Sequence, residues 1–75
     1  MASIKKVIQK MINQPNGITP HEADRVLSAH GYRLDRQRGS HCQYVNNSGD
    51  VLTVVNSNPL KKAYVTAILE RIGEN

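Results

Sequence analysis

The stretch "YRLDRQRGSHCQYVNNSGDVLTVVN", residues 32–56, decides the fold. Its runs "YRLDRQR", "HCQYV" and "VLTVVN" are short and alternating or β-branched, the period of strands and not of helices. Gly39-Ser40 separates the first two runs with a tight turn, and Asn46 to Asp50 separates the second from the third with a strong hairpin signal. The expectation is a three-stranded antiparallel meander. Alternation in the middle strand puts His41, Gln43 and Val45 on one face and Cys42 and Tyr44 on the other. If Cys42 and Tyr44 pack inward, His41 faces out.

Outward from the meander the period lengthens. Upstream, Ile4, Val7, Ile8, Met11 and Ile12 recur at helical spacing among lysines and amides, predicting an amphipathic helix over about 3–13 with Ser3 able to cap it. Pro15 and Asn16-Gly17 then stop and turn the chain. Thr19, Pro20 and Glu22 carry the signature of a capping box with proline at the first helical position, so a second helix is expected over about 20–30. Ile18 and Ala23 are placed as its staple, Ala23, Val26, Leu27 and His30 share a face, and Gly31 is a natural left-handed stop. Downstream, "NSNPLKKAYVTAILERIGEN" closes the chain, with Asn58 as candidate cap, Pro59 at the first helical position, an apolar stripe of Val65, Ile68, Leu69 and Ile72, and Gly73 as stop.

The resulting order, α-α-β-β-β-α, makes an α+β sandwich with helices over one sheet face. Seventy-five residues allow one domain, 1–75, in which 1–17 hold an N-terminal extra helix and turn and 18–75 the core. With no Phe or Trp and three Tyr, the core is aliphatic and leaves little room for an enclosed small-molecule pocket. A lone Cys42 permits no internal disulfide and suits a reducing cytosol. No Cys/His spacing suggests zinc, so neither metal nor cofactor is expected. The amphipathic N-terminus lacks a signal peptide's apolar run, and no segment approaches a membrane span, which points to a cytoplasmic protein.

Ten Lys or Arg against six Asp or Glu give a formal charge of +4, which favours an anionic partner such as nucleic acid or an acidic protein face. Arg36 and Arg38 beside His41 suit a phosphodiester, since guanidinium grips phosphate and imidazole transfers protons. The same pattern also describes a surface histidine among solvated arginines. Lys61 and Lys62, placed in the first turn of the closing helix, mark a second basic feature, read either as an anion contact or as solvated lysines. Lys5, Lys6 and Lys10 read as a wet helix face, and His21 and His30 as local structure near helix ends. Cys42 cannot cooperate with His41, because neighbouring strand residues point to opposite faces; it reads as a buried, inert thiol.

The helix ending in "LSAHGYRL", the motif "RQRGSH", Tyr44 in the second strand and the closing "NPLKKAYVTAILERIG" together resemble the HicA family of bacterial toxins over about residues 20–73. The resemblance implies a fold like that of double-stranded-RNA-binding domains. It also implies an mRNA interferase that cleaves mRNA or other single-stranded RNA without metal, with His41 as the catalytic histidine. Gly39 and Ser40 would shape the turn that presents it, and Arg36, Arg38, Ser40, Lys61 and Lys62 would contact RNA. A HicB-type antitoxin that covers the histidine face is the implied partner. Many relatives carry a second His where this chain has Cys42, and the first helix extends beyond the shortest relatives. The alternative readings are a non-catalytic RNA-binding module, or a protein-interaction domain derived from this fold.

Overall fold

Ser3 opens the first helix by accepting a hydrogen bond from the Lys6 backbone N–H at 3.2 Å. In the computed structural model, which describes residues 3–73, that helix is α1, Ile4–Asn13. The outermost residues of the expected domain, 1–2 and 74–75, lie outside the described residues. Val7, Ile8 and Met11 are buried, whereas Ile12, on the same apolar pattern, stays 44% exposed. A short 3-10 turn, Pro15–Gly17, follows and delivers Ile18 to the core.

Helix α2, Pro20–Ala29, starts with the full capping box. Thr19 Oγ1 accepts from the Glu22 N–H at 3.2 Å, and the Glu22 carboxylate accepts from the Thr19 N–H at 2.9 Å. Glu22 also takes the Lys10 ammonium at 2.9 Å, so Lys10 ties α1 to α2 and is not part of a merely wet face. Ile18 and Ala23 are both buried, as a staple requires. His30 has the expected local role at a helix end, although it does not share the buried face of Ala23, Val26 and Leu27. It is exposed at the C-cap, with Nδ1–H donating to the Val26 carbonyl at 2.8 Å, and Gly31 at φ 87° turns the chain.

Strands β1 (Arg33–Arg38), β2 (His41–Val45) and β3 (Val51–Val55) pair antiparallel in the order β1-β2-β3. Gly39 and Ser40 form a two-residue loop in which Gly39 has φ 58° and Ser40 does not have positive φ, the signature of a II′ hairpin turn with glycine first. In the β2–β3 loop the Asn46 side chain accepts from the backbone of Ser48 at 3.0 Å and Asp50 at 2.9 Å.

The last helix corrects the sequence reading. Helix α3 runs Lys62–Ile72, with Lys61 as its N-cap and no side-chain cap. Asn58 and Pro59 precede it, joined by a cis peptide. Between Pro59 and the helix, Leu60 is 2% exposed, its side chain in the core and its N–H donating to the Ile18 carbonyl at 2.8 Å, so the chain is anchored to the core before the helix begins. Gly73 ends α3 at φ 81°, as expected.

Cys42, Tyr44, Leu52 and Val54 from one sheet face join Met11, Val26, Leu27, Val65 and Ile68 from the helices in one buried cluster. All three helices contribute to it, α1 through Val7, Ile8 and Met11. The fold is therefore α+β, compatible with a double-stranded-RNA-binding-domain-like arrangement, and among the described residues one sheet face carries no helix. No described helix is long and apolar enough to cross a membrane.

Candidate active site

β1 lies at the sheet edge with all six residues exposed, and regular alternation would put Leu34, Arg36 and Arg38 on one face. A bulge changes this. Arg33 and Leu34 pair with Val45 and Tyr44, but Arg36, Gln37 and Arg38 pair with Gln43, Cys42 and His41, leaving Asp35 as the extra residue. Leu34 thus stays on the Tyr44 side, while Arg36 and Arg38 swing to the open face beside Gln43 and His41.

On that face Arg36, Arg38, His41, Gln43 and Thr53 line a shallow depression of about 180 Å³. His41 sits directly after the turn, paired with Arg38 on one side and Val55 on the other. The turn is tied down by the Asn56 N–H, which donates to the Ser40 carbonyl at 2.6 Å, and by the Gln37 side chain, which donates to the Gly39 carbonyl at 3.2 Å. Among the described residues, none hydrogen-bonds or ion-pairs with the side chains of Arg36, Arg38 or His41. Two guanidiniums and an imidazole with hydrogen-bonding groups left unpaired, and no carboxylate in the lining, suit an anion.

Cys42 is buried at 6% exposure on the opposite face, where burial, reinforced by Asp24, pushes its thiol above the ordinary value. It stands apart from the His41 face. Tyr44 is buried beside it, its hydroxyl donating to Asp24 at 2.9 Å; burial and that bond push the phenol far up. Behind β3, the Tyr32 hydroxyl and Arg71, at 2.7 Å, both donate to the Asp50 carboxylate, and Arg71 also reaches the Val51 carbonyl at 3.0 Å. The Tyr32 bond and then Arg71 hold the Asp50 carboxyl below its usual range.

The structure thus gathers Arg36, Arg38 and His41, with Gly39 and Ser40 in the adjoining turn. Lys61 and Lys62 are exposed at the start of α3 and do not line the depression. Gln43 and Thr53 do line it, and sequence reasoning passed over them as site residues although alternation already put Gln43 on the His41 face.

Compared with known families, residues 20–74 match the model of the HicA toxin of bacterial toxin-antitoxin systems. The chain belongs to the HicA toxin family. The match starts at the first residue of α2 and takes in the whole sheet and α3, so the depression lies within the HicA part and α1 precedes it. Membership makes this chain the toxin component of a toxin–antitoxin system, with an antitoxin as its counterpart. Searches of curated proteins and of solved structures give no significant match.

Proposed function

We propose that this HicA toxin is an mRNA interferase that cuts single-stranded RNA on the open face of its sheet, with His41 as the proton-transfer group. One observation carries the reading: His41 shares a single depression with two arginines that have no hydrogen-bond or ion-pair partner among the described residues. In RNA cleavage the 2′-hydroxyl loses its proton, its oxygen attacks the neighbouring phosphorus, and the bond from phosphorus to the next 5′-oxygen breaks. That 5′-oxygen then takes up a proton. An imidazole serves one of these two transfers, and water serves the other. Arg36 and Arg38 neutralise the charge that builds on the phosphoryl oxygens. Ser40 presents the histidine through the turn, and Lys61 and Lys62 add a more distant attraction for the RNA backbone. With an imidazole and water as the proton-transfer groups and the arginines as the counter-charge, cleavage is expected to proceed in EDTA. A HicB-type antitoxin silences the toxin by covering this face.

The test is incubation of the protein and His41→Ala with single-stranded RNA in EDTA, with analysis of the new ends. The variant is expected to lose cleavage by about 10²–10⁴-fold while keeping its fold and most of its RNA affinity. Undiminished cleavage by the variant removes His41 from the reaction. Intact RNA with both folded proteins turns the reading to a binding module.

A further inference from the structure

The open sheet face is ordered in cross-strand rows. One row is Arg38–His41–Val55, and the next is Arg36–Gln43–Thr53. Adjacent rows lie two residues apart along the strands, about 6.8 Å, a spacing on the order of one phosphate-to-phosphate step of extended RNA. The arginines of both rows belong to β1, at the edge. The neutral polar ones belong to β2 and β3. Gln43 is half-buried in the central strand and Thr53 is exposed beside it, and among the described residues neither side chain has a hydrogen-bond partner. The Gln43 carboxamide is open to the depression, so its two donors and its acceptor are available to a ligand lying there.

Resting on the RNA-cleavage reading, we infer that Gln43 and Thr53 form a base-reading subsite for the nucleotide next to the scissile phosphate. Successive phosphates lie over Arg38 and Arg36, the sugar of the cleaved linkage lies at His41, and the neighbouring base extends across the sheet towards β3. There the Gln43 carboxamide, which offers a donor and an acceptor side by side, meets the base edge, as amide side chains do with the paired donor and acceptor of adenine. The Thr53 hydroxyl supplies a third hydrogen bond. The row at His41 ends in Val55, which offers its base only an apolar contact. Base preference therefore resides one nucleotide away from the cut, in residues that take no part in proton transfer.

The experiment compares the protein with Gln43→Ala, Gln43→Glu and Thr53→Val on a random-sequence RNA, mapping every cleavage end. Gln43→Ala and Thr53→Val are expected to flatten the preference at one position flanking the cut and to raise KM about tenfold, the loss of one base contact, with kcat at saturation retained. Gln43→Glu exchanges donors for acceptors and is expected to change which base is preferred. An unchanged cleavage profile in all three overturns the inference and leaves the role of His41 standing. The second arm does not require cleavage: in a His41→Ala background, labelled single-stranded RNAs differing at one position are titrated by fluorescence anisotropy. Discrimination among them should vanish with Gln43→Ala; discrimination that persists, or that was never present, overturns the inference even if the RNA is not cut.

Discussion

Gly39 directs His41 by what it lacks. Its φ of 58° belongs to the left-handed region, and the two-residue loop it opens places His41 opposite Arg38. A Cβ built at Gly39 meets nothing within 4 Å, so the demand for glycine comes from the backbone and not from crowding. Gly39→Ala is therefore expected to cost about 1–2 kcal/mol, read as a lower unfolding midpoint in urea, with Gly39→Asn costing less because asparagine tolerates this region. If alanine leaves the midpoint unchanged, the turn does not need the left-handed residue. Asp35 acts in the opposite way, by being one residue too many: absorbed as a bulge, it lets Arg36 and Arg38 face the same side as His41 while Leu34 faces the other. Nothing in "RLDRQR" announces this. A bulge is chosen by which pairing satisfies both neighbours of the strand, and the strand alone carries no record of that competition.

Among the elements, α1 lies outside the family match yet sends Met11, fully buried, into the common core. Met11→Ala is expected to destabilise the protein by about 2–5 kcal/mol, measured by equilibrium unfolding in urea. A change below about 0.5 kcal/mol would mean that α1 is an appendage and that the sheet and other helices stand without it. The helices also show where sequence reading succeeds. The starts of α1 and α2 were legible because their caps, Ser3 and Thr19, bond to N–H groups three residues away. The start of α3 was not, although Asn58 and Pro59 carry the same kind of signal. There the segment before the helix is anchored by Leu60, buried in the core and bonded to Ile18 forty-two positions away, and a local rule has no access to that contact.

For the whole molecule, pH dependence follows from groups that hold elements together. The backbone N–H of Thr19, and then Lys10, hold the Glu22 carboxyl below its ordinary value of 4.5, and the Tyr32 bond and then Arg71 lower Asp50 from 3.8. A carboxyl lowered on folding contributes stability above its unfolded value and loses it as pH falls through the folded one. Tyr44, raised by burial and then by Asp24, and Tyr32, raised by Asp50 and then by burial, run the other way. Each contributes fully below 10.0 and loses that contribution as pH rises through its folded value. Thermal midpoints are thus expected to hold a plateau between about pH 5 and pH 9, to fall below it as the Glu22 and Asp50 links are protonated, and to fall above it as the phenols ionise. Glu22→Gln should shift the acid limb to lower pH; an unmoved limb would mean that Glu22 does not set it.

What the sequence by itself determined is local and periodic: two helix starts, the meander, the glycine turn, and the opposite faces of His41 and Cys42. These depend on side chains within a few positions of one another, where φ preferences, caps and alternation act directly. Only the tertiary structure decided the bulge that aims Arg36 and Arg38, the late start of α3, the Lys10–Glu22 link, and the joining of Thr53 to Gln43 and His41 in one depression. Each of these is a choice among partners distant in the chain. That choice is made by burying Leu60, pairing three strands at once and leaving the open face to water, which are properties of the packed whole.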